Sequence, residues 1–236
     1  MNLYESRYEK KFIISIKQEL LLKNMIKNIF FLDKNSVQHE DGYYIISTYF
    51  DDNKFTNLNS KLEGENERIK LRARAYFGTN KNNVTFWNLE LKKKINSKVV
   101  KNKIKIENNF FLNSVISQDF LKYFLNINFI SSKFYRKDFQ PKITIFYFRQ
   151  AYNSDIFPNC RITIDSNVKY EKGFCYNFKE MINSSNNTLN YNERILELKY
   201  TDSLPSIIKN IFRELKLSQC TFSKYVDSYI LTKKKC

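Results

Sequence analysis

The sequence predicts an α+β protein in which a closed antiparallel β-barrel of about eight strands is surrounded by amphipathic helices. Two observations predict this fold. Several segments alternate charged and apolar residues with the period of a strand, and other segments repeat apolar residues with the period of a helix. The helices need an apolar surface to cover, so we expect them outside the sheet, which leaves the charged strand faces to meet inside a closed barrel.

The first half of the chain predicts one helix among several strands. Residues 7–14 alternate as a strand does, and Ser15 then begins a helix because Gln18, three residues later, completes a capping box. Further strands are predicted where β-branched, aromatic and alternating residues are concentrated, at residues 42–51, 67–77, 86–94 and 98–107.

The second half predicts three strands and three helices. Apolar residues with helical spacing mark residues 115–125, 204–215 and 225–231, and the strands are predicted at 142–151, 160–168 and 193–200. The Asn-rich segment 179–192 is expected to be a surface loop. No internal repeat or clear linker divides the 236 residues, so we expect a single domain over residues 1–236.

The charge balance predicts an anionic partner. The chain has 40 Lys and Arg residues against 24 Asp and Glu residues, a net charge of +16. Nucleic acid, an anionic membrane surface and polyphosphate all fit this charge. One histidine and four cysteines without zinc-ligand spacing argue against a His-based or zinc site. With neither a signal peptide nor a membrane-spanning stretch in the sequence, we expect a cytoplasmic protein with reduced thiols and no membrane insertion.

The strongest functional signal is a charged face that recurs from strand to strand. Residues two apart on a strand share a face, so RIKLRARAY presents a cationic face opposite an apolar one. An ordinary solvated strand also alternates, and it is the recurrence that predicts an interior channel. The other strands contribute Arg7, Glu9 and Lys11, Glu90, Lys92 and Lys94, Tyr147 and Arg149, Arg161, Thr163 and Asp165, and Glu197 and Lys199.

A channel lined by charges needs a counter-charge. Each buried unpaired ion costs several kcal/mol, so the channel is expected to hold water, ions or ligand. A polyanion would supply charge-assisted hydrogen bonds of roughly 1.5 to 3 kcal/mol each. Glu9, Glu90 and Glu197 have the carboxylate oxygens that Mg²⁺ or Mn²⁺ prefers, and such cations also bridge phosphates.

The order of motifs along the chain resembles the VTC domain, the polyphosphate polymerase branch of the triphosphate tunnel metalloenzyme (CYTH-like) superfamily. The resemblance extends over nearly the whole chain. It rests on RYEKKF, STYFDD, ERIKLRARAY, LELKKK, the pair FYFRQAY and CRITID, LELKY and FSKYVDSY, in that order. Lys101 and Lys103 stand where at least one arginine is expected, which is a departure from the pattern.

The resemblance implies a tunnel that holds phosphates next to a divalent metal, Mn²⁺ or Mg²⁺. The residues expected to act in phosphoryl transfer are Arg72, Arg74, Lys92, Arg149, Arg161 and Lys199. Further phosphate contacts are expected from Lys11, Arg68, Lys70, Lys103 and Lys224. Glu197 resembles the family's metal-binding glutamate, and Glu9 and Glu90 are candidates to assist it.

The function implied is synthesis of polyphosphate from ATP, with ATP and polyphosphate as the partners. Two alternatives remain open. A triphosphatase or polyphosphate hydrolase could use the same fold with water as the nucleophile, and a non-catalytic basic module could bind polyphosphate or nucleic acid. Nucleic acid is not the expected ligand, because the aromatic residues mostly oppose the charged ones instead of interleaving with them. A membrane partner stays open.

Overall fold

The computed structural model describes residues 7–39, 41–77, 84–95, 98–116, 119, 139–175, 188–189, 192–201 and 203–234. Within these residues it contains one 10-stranded antiparallel sheet and six helices. The strands are β1 (Arg7–Ser15), β2 (Phe31–Leu32), β3 (Tyr43–Asp51), β4 (Glu67–Phe77), β5 (Phe86–Ile95), β6 (Lys98–Glu107), β7 (Gln140–Asn153), β8 (Cys160–Lys172), β9 (Glu193–Thr201) and β10 (Gln219–Cys220). The helices are α1 (Ile16–Ile26), α2 (Lys34–Gln38), α3 (Thr56–Leu62), α4 (Asn108–Ile116), α5 (Ser206–Glu214) and α6 (Lys224–Lys234).

The sheet is open, so the prediction of a closed barrel is wrong in this respect. Its strand order is β10-β1-β9-β8-β7-β3-β4-β5-β6, with β2 pairing beside this path on β7. In the part of the chain that the structure describes, no pairing joins β6 to β10 or β1. The two-residue β10 is too short to continue a ladder, and β6 presents lysines at positions 101, 103 and 105, a composition that keeps strand edges apart.

The start of α1 confirms the predicted capping box. The Gln18 backbone N–H donates to Ser15 Oγ at 3.2 Å, and the Ser15 N–H donates to Gln18 Oε1 at 2.9 Å. Gln18 Nε2 also donates to the Leu215 carbonyl at 3.0 Å, which ties the start of α1 to the end of α5. The strand β1 and helix α1 are therefore connected without a loop.

Helices α1, α4 and α5 cover the outer side of the sheet, as predicted. Leu22 of α1 and Ile208 of α5 are fully buried against Leu196 and Leu198 of β9. Farther along the sheet, α4 packs on the outer side of β5 and β6, and its Phe111 is fully buried. Burial of large apolar side chains at about 25 cal/mol per Å² makes these layers the main stabilising contacts.

Two helices lie on the other side of the sheet, where the sequence predicted only charged residues. Leu58 of α3 and Tyr225 of α6 are buried together with Tyr43, Ile45 and other residues of β3, β7 and β8. Their neighbours on β3, Ile46 and Phe50, belong to the outer layer instead. The inner side is therefore apolar at one part and charged at another. The prediction that the helices pack outside is wrong for α6, and α3 is a helix that the sequence did not predict, in a segment expected to be a polar connection.

Two predicted segments extend beyond the described residues. α4 begins at Asn108 and ends at Ile116, whereas the predicted helix covered 115–125, most of which lies outside the described residues. Of the predicted loop 179–192, the structure describes 188, 189 and 192. Thr188 pairs with Lys169 of β8, and the Leu189 N–H donates to the Val168 carbonyl at 2.8 Å, so this part of the loop continues the sheet.

Candidate functional site

Strand register gathers the charged residues on the inner side of the sheet. Lys11 lies opposite Glu197, and Glu197 lies opposite Thr163. Arg149 lies opposite Asp165 on one side and opposite Tyr43 on the other. We call this side the concave face, and its polar residues include Glu9 and Lys11, Glu197 and Lys199, Thr163 and Asp165, Arg149, Ser47 and Tyr49, Arg68, Lys70, Arg72 and Arg74, and Glu90 and Lys92.

The sheet curves far enough to bring its distant strands close to each other across this face. β1 and β5 are separated by five strands in the sheet order. Even so, burial and the Glu197 carboxylate raise the pKa of Glu9, while ammonium groups that include Lys92 of β5 outweigh them and lower it. Lys11 of β1 likewise helps to lower the pKa of Lys70 on β4. Charged groups of β1 therefore interact with those of β4 and β5 across the concave face, although the barrel is not closed.

Arg72 and Arg74 form the cationic cluster of β4. Arg72 donates to Glu90 on β5, with Nε 2.7 Å from the carboxylate oxygen. Arg74, which is 9 % exposed, donates from Nε to Ser47 Oγ at 3.1 Å. Arg72 Nη1 also contacts the Tyr49 hydroxyl at 3.5 Å. These bonds hold two guanidinium groups side by side on the concave face, and a forked guanidinium suits a phosphate's paired oxygens.

A second cluster joins β7, β8 and α6 through one carboxylate. Arg149 Nε and Nη2 donate to the two Asp165 oxygens at 2.6 and 2.7 Å. Lys224 of α6 donates to the same Asp165 at 2.6 Å. Burial raises the pKa of Asp165, but Arg149 and Lys224 outweigh burial and lower it. Two cations thus share one buried anion, which leaves a positive excess at this point.

The third cluster contains the carboxylates of β1 and β9. Glu9 lies 3.2 Å from Lys11 Nζ, and Glu197 pairs with Lys199. Burial raises the pKa of Glu197, but Lys199, Lys11 and Arg149 together bring it far below its usual range. Both carboxylates are therefore ionised near neutral pH. The Glu197 charge acts to raise the pKa of Glu9, and both acids act to raise the pKa of Lys11.

Lysines lie opposite one another at the far side of the concave face. In register across β4, β5 and β6 are Lys70, Lys92 and Lys101. Burial lowers the pKa of Lys70 to about 8, and neighbouring cations contribute to the shift. Burial also lowers the pKa of Lys92. Like charges placed directly opposite each other destabilise a sheet, so this row favours the binding of an anion.

Three predicted site residues lie toward the margins. Arg161 keeps a side-chain exposure of 44 % and donates to Asp33 Oδ2 at 2.7 Å, where Asp33 also caps α2. Lys103 is exposed and lies opposite Glu90. Arg68 is half-buried opposite Lys94. All three are on the concave side of the sheet, but they do not lie within the three clusters, and their roles stay predictions.

Sequence reasoning missed the parts that Asp165, Asp33 and Tyr49 play. Asp165 was recognised only as a residue sharing a face with Arg161, although it binds two predicted site cations. Asp33, which caps the start of α2 and is far from Arg161 in the sequence, accepts a hydrogen bond from Arg161. For Tyr49 a signal existed, because STYF places Ser47 and Tyr49 two residues apart on one strand face.

The carboxylates of Glu9 and Glu197 fit a divalent metal better than Glu90 does. Among the described residues, no three His, Cys, Asp or Glu side chains form a metal-binding group. Glu9 and Glu197 lie on neighbouring strands and sense each other's charge, whereas Glu90 is bound to Arg72. Mg²⁺ is commonly bound by one or two carboxylates together with substrate phosphates, and a pair of this kind suits that arrangement.

The class defined here is an antiparallel sheet protein whose concave face concentrates cations, and such a face suits a polyanion. This chain belongs to the VTC domain family, since the family's model matches residues 6–233. The family predicted from the motif order is therefore confirmed.

A solved structure shares the fold. A candidate adenylate cyclase from Bacillus halodurans aligns with a TM-score of 0.52 and 12% identity, covering 93% of this chain and 94% of that protein. The mimivirus capping enzyme triphosphatase aligns with a TM-score of 0.39 and 11% identity, covering 90% of both chains. No curated protein matches the sequence. In the described residues, no helix has the length and apolar character needed to cross a bilayer.

Proposed function

We propose that this protein is a polyphosphate polymerase, which transfers the γ-phosphate of ATP to the end of a growing polyphosphate chain on the concave face. One observation carries the proposal. Cations from β1, β4, β7, β9 and α6 meet on one curved surface beside the Glu9 and Glu197 carboxylates. Membership of the VTC domain family supports a phosphate-chain substrate, since polyphosphate chemistry is what resemblance to that family implies.

The arginines and lysines have different parts in binding. Arg72, Arg74 and Arg149 carry rigid forked donors that grip two oxygens of one phosphate. Lys11 and Lys199 act as point charges next to the carboxylate pair. A chain of phosphates bound along the curve would exchange the internal bonds to Glu90 and Asp165 for bonds to phosphate oxygens.

Phosphoryl transfer asks little covalent chemistry of the protein, so positioning and charge neutralisation provide most of the catalysis. A terminal oxygen of the polyphosphate chain forms a bond to the γ-phosphorus of ATP. The bond from that phosphorus to the oxygen bridging the β-phosphate breaks, and ADP leaves with the electron pair. The guanidinium groups of Arg72 and Arg74 stabilise charge on the oxygens of the transferred group.

Glu9 and Glu197 are the residues that would hold a divalent cation, Mg²⁺ or Mn²⁺. Bound there, the cation would neutralise phosphate oxygens and orient the nucleotide. Lys11 and Lys199 keep both carboxylates ionised, because each lysine lowers the pKa of the acids. The two acids are therefore ready to bind a cation at neutral pH.

The test is an incubation of purified protein with ATP and Mn²⁺, followed by gel staining for a long anionic polymer and an assay for orthophosphate. Polymer together with ADP is the expected result. Orthophosphate without polymer would replace the proposal with a hydrolase on the same site. If neither product forms, the protein is a binding module.

Glu197→Gln should reduce metal-dependent turnover by at least about a hundredfold, as expected when a charged group that positions a metal is lost. Glu214→Gln is the control, since Glu214 is exposed at the end of α5. Both variants should give the circular dichroism spectrum of the unmodified protein. Turnover of Glu197→Gln at the unmodified rate would remove Glu197 from the metal site.

A further inference from the structure

Tyr49 is a buried phenol at the centre of the cationic cluster. It lies on β3, is 8 % exposed, and is opposite Arg72 in the β3–β4 register. Its oxygen is 3.5 Å from Arg72 Nη1, at the long end of a hydrogen bond. The ring stacks on that of Tyr225, with the centroids 5.0 Å apart and the planes 8° from parallel. Ring packing therefore fixes where the phenolic oxygen lies.

Within the described residues, cations contribute the largest charge effects on Tyr49, and the nearby Glu90 carboxylate is bound to one of them, Arg72. Lys70, Arg72 and Arg74 face it from β4, and Lys11 faces it from β1. On the β7 side, its register partner is the apolar Ile143. From α6, the Tyr225 hydroxyl is turned away, because it donates to Asp51 Oδ2 at 2.9 Å.

These surroundings favour the ionised phenol. Burial by itself raises the pKa of Tyr49, but Arg72, Arg74 and Lys70 outweigh burial and lower it to about 7. Near neutral pH, a phenolate oxygen would then be a further acceptor for Arg72, in addition to the Glu90 carboxylate that already binds it.

We propose that Tyr49 is a proton-linked positioning residue of the phosphate site: the ionised phenol holds Arg72 while the site is empty, and a phosphate chain binds together with one proton taken up by Tyr49. The proton comes from solvent and adds to the phenolate oxygen. The neutral hydroxyl then releases the Arg72 guanidinium to phosphate oxygens. The proposal rests on the phosphate site proposed above, but it needs no polymerase activity.

The direction of the pH effect follows because the Tyr49 phenolate and the phosphate chain are both negative and compete for the same guanidinium. Below the pKa of about 7, Tyr49 is neutral and does not weaken phosphate binding. Above it, the affinity for a phosphate chain falls by up to about tenfold for each pH unit, because one more proton is bound in the complex than in the free protein. Lys70, with a pKa of about 8, loses its charge in the same range and must be controlled.

The first test follows the near-ultraviolet absorbance of tyrosinate between about pH 6 and pH 8, a range in which an ordinary tyrosine, with a pKa of about 10, is ionised to about 1 % or less. The free protein should show one tyrosine ionising near neutrality, and saturating inorganic tripolyphosphate should remove that signal. Tyr152→Phe is the matched control, because burial raises the pKa of Tyr152 to about 12 and its loss should leave the signal unchanged. Absence of a tyrosinate signal, or a signal insensitive to tripolyphosphate, would overturn the proposal.

The second test measures tripolyphosphate binding by calorimetry over the same pH range in Tyr49→Phe and Lys70→Arg. Tyr49→Phe keeps the ring that stacks on Tyr225. Its affinity for tripolyphosphate should fall less steeply with rising pH, because binding should take up about one proton fewer per ligand than in the unmodified protein. Lys70→Arg keeps a positive charge that does not change over this pH range. The part of the pH dependence of tripolyphosphate affinity that comes from Tyr49 should therefore remain in this variant. Equal slopes in Tyr49→Phe and the unmodified protein would contradict the proposal, whereas failure of every form to bind tripolyphosphate would contradict the phosphate site itself.

Discussion

Asp165 is the residue whose loss should most clearly reveal the site's need for an anion. It has no exposed side-chain surface and is the anion that Arg149 and Lys224 share. Asp165→Asn should lower the free energy of unfolding by about 3 kcal/mol, the usual cost of breaking a buried ion pair. Added tripolyphosphate should restore part of this loss, because its oxygens replace the missing carboxylate. Urea unfolding with and without tripolyphosphate measures both effects.

Glu19 provides the matched comparison. It also lies between a lysine and an arginine, 2.6 Å from Lys23 and 2.9 Å from Arg194, but on the outer side of the sheet. Glu19→Gln should destabilise the protein without any additional rescue by tripolyphosphate. Equal rescue of both variants would mean that the ligand stabilises the fold in general and does not replace Asp165.

Individual residues also mark how far sequence reasoning reached. Alternation in RIKLRARAY was enough to predict that Arg72 and Arg74 share a face, since that inference needs only the two-residue period of one strand. The Asp165 contacts were not predictable in the same way. They depend on the register of β7 with β8 and on a contact of Lys224 across 59 positions of sequence, and neither leaves a local pattern.

Among the elements, α6 has the most consequence for the site. It packs on the concave side, where Tyr225 stacks on Tyr49 and donates to Asp51. Asp51 also accepts the backbone N–H groups of Asn57 and Leu58, both at 3.0 Å, so one buried carboxylate joins α6 to the start of α3. An apolar stripe in the sequence does not say which side of a sheet its helix covers, and for this reason α6 was placed outside in the prediction.

Tyr225→Phe should loosen α6 specifically. The change removes one hydrogen bond to a buried carboxylate, at a cost of about 1–3 kcal/mol. Amide hydrogen exchange should accelerate in α6 and α3, while α1 and α5 keep their protection because they pack in a separate outer layer. Tyr229→Phe is the control, since Tyr229 contacts Phe55 through its ring. Uniform acceleration in all helices would show that α6 does not open separately.

At the scale of the whole molecule, the net charge of +16 and the curved sheet act together. A bound phosphate chain should stabilise the folded protein by about 2.7 kcal/mol when its concentration is a hundred times the dissociation constant. The stabilisation should shrink as sodium chloride rises, because salt screens the attraction. Thermal unfolding with tripolyphosphate at two salt concentrations measures this.

The same measurement separates specific binding from general attraction to a basic protein. Arg72→Ala removes a guanidinium from the concave face, and Arg213→Ala removes an exposed one from the outer helix α5, where it contacts Asn210. Both variants lose one positive charge. Only Arg72→Ala should reduce the thermal shift markedly, and equal reductions would indicate that tripolyphosphate binds to the surface at large.

The overall arrangement of the sheet was predicted in part. Antiparallel strands, an inward charged side and outer helices followed from periodicity, whereas closure was inferred because helices covering every apolar face outside would leave the charged faces to meet inside a barrel. In the structure α3 and α6 cover part of the inner side, and the sheet is curved without being closed.

Among the described strands, β6 is the last in the sheet order, and this margin also governs how copies of the protein meet. A free strand edge invites a second molecule to add its own strand, which is a common route to aggregation. Here Lys101, Lys103 and Lys105 alternate along that edge, so two identical edges would bring six ammonium groups together. Electrostatic repulsion at low salt therefore protects a concentrated solution of this protein from edge-to-edge self-association, and high salt or a multivalent anion would weaken that protection.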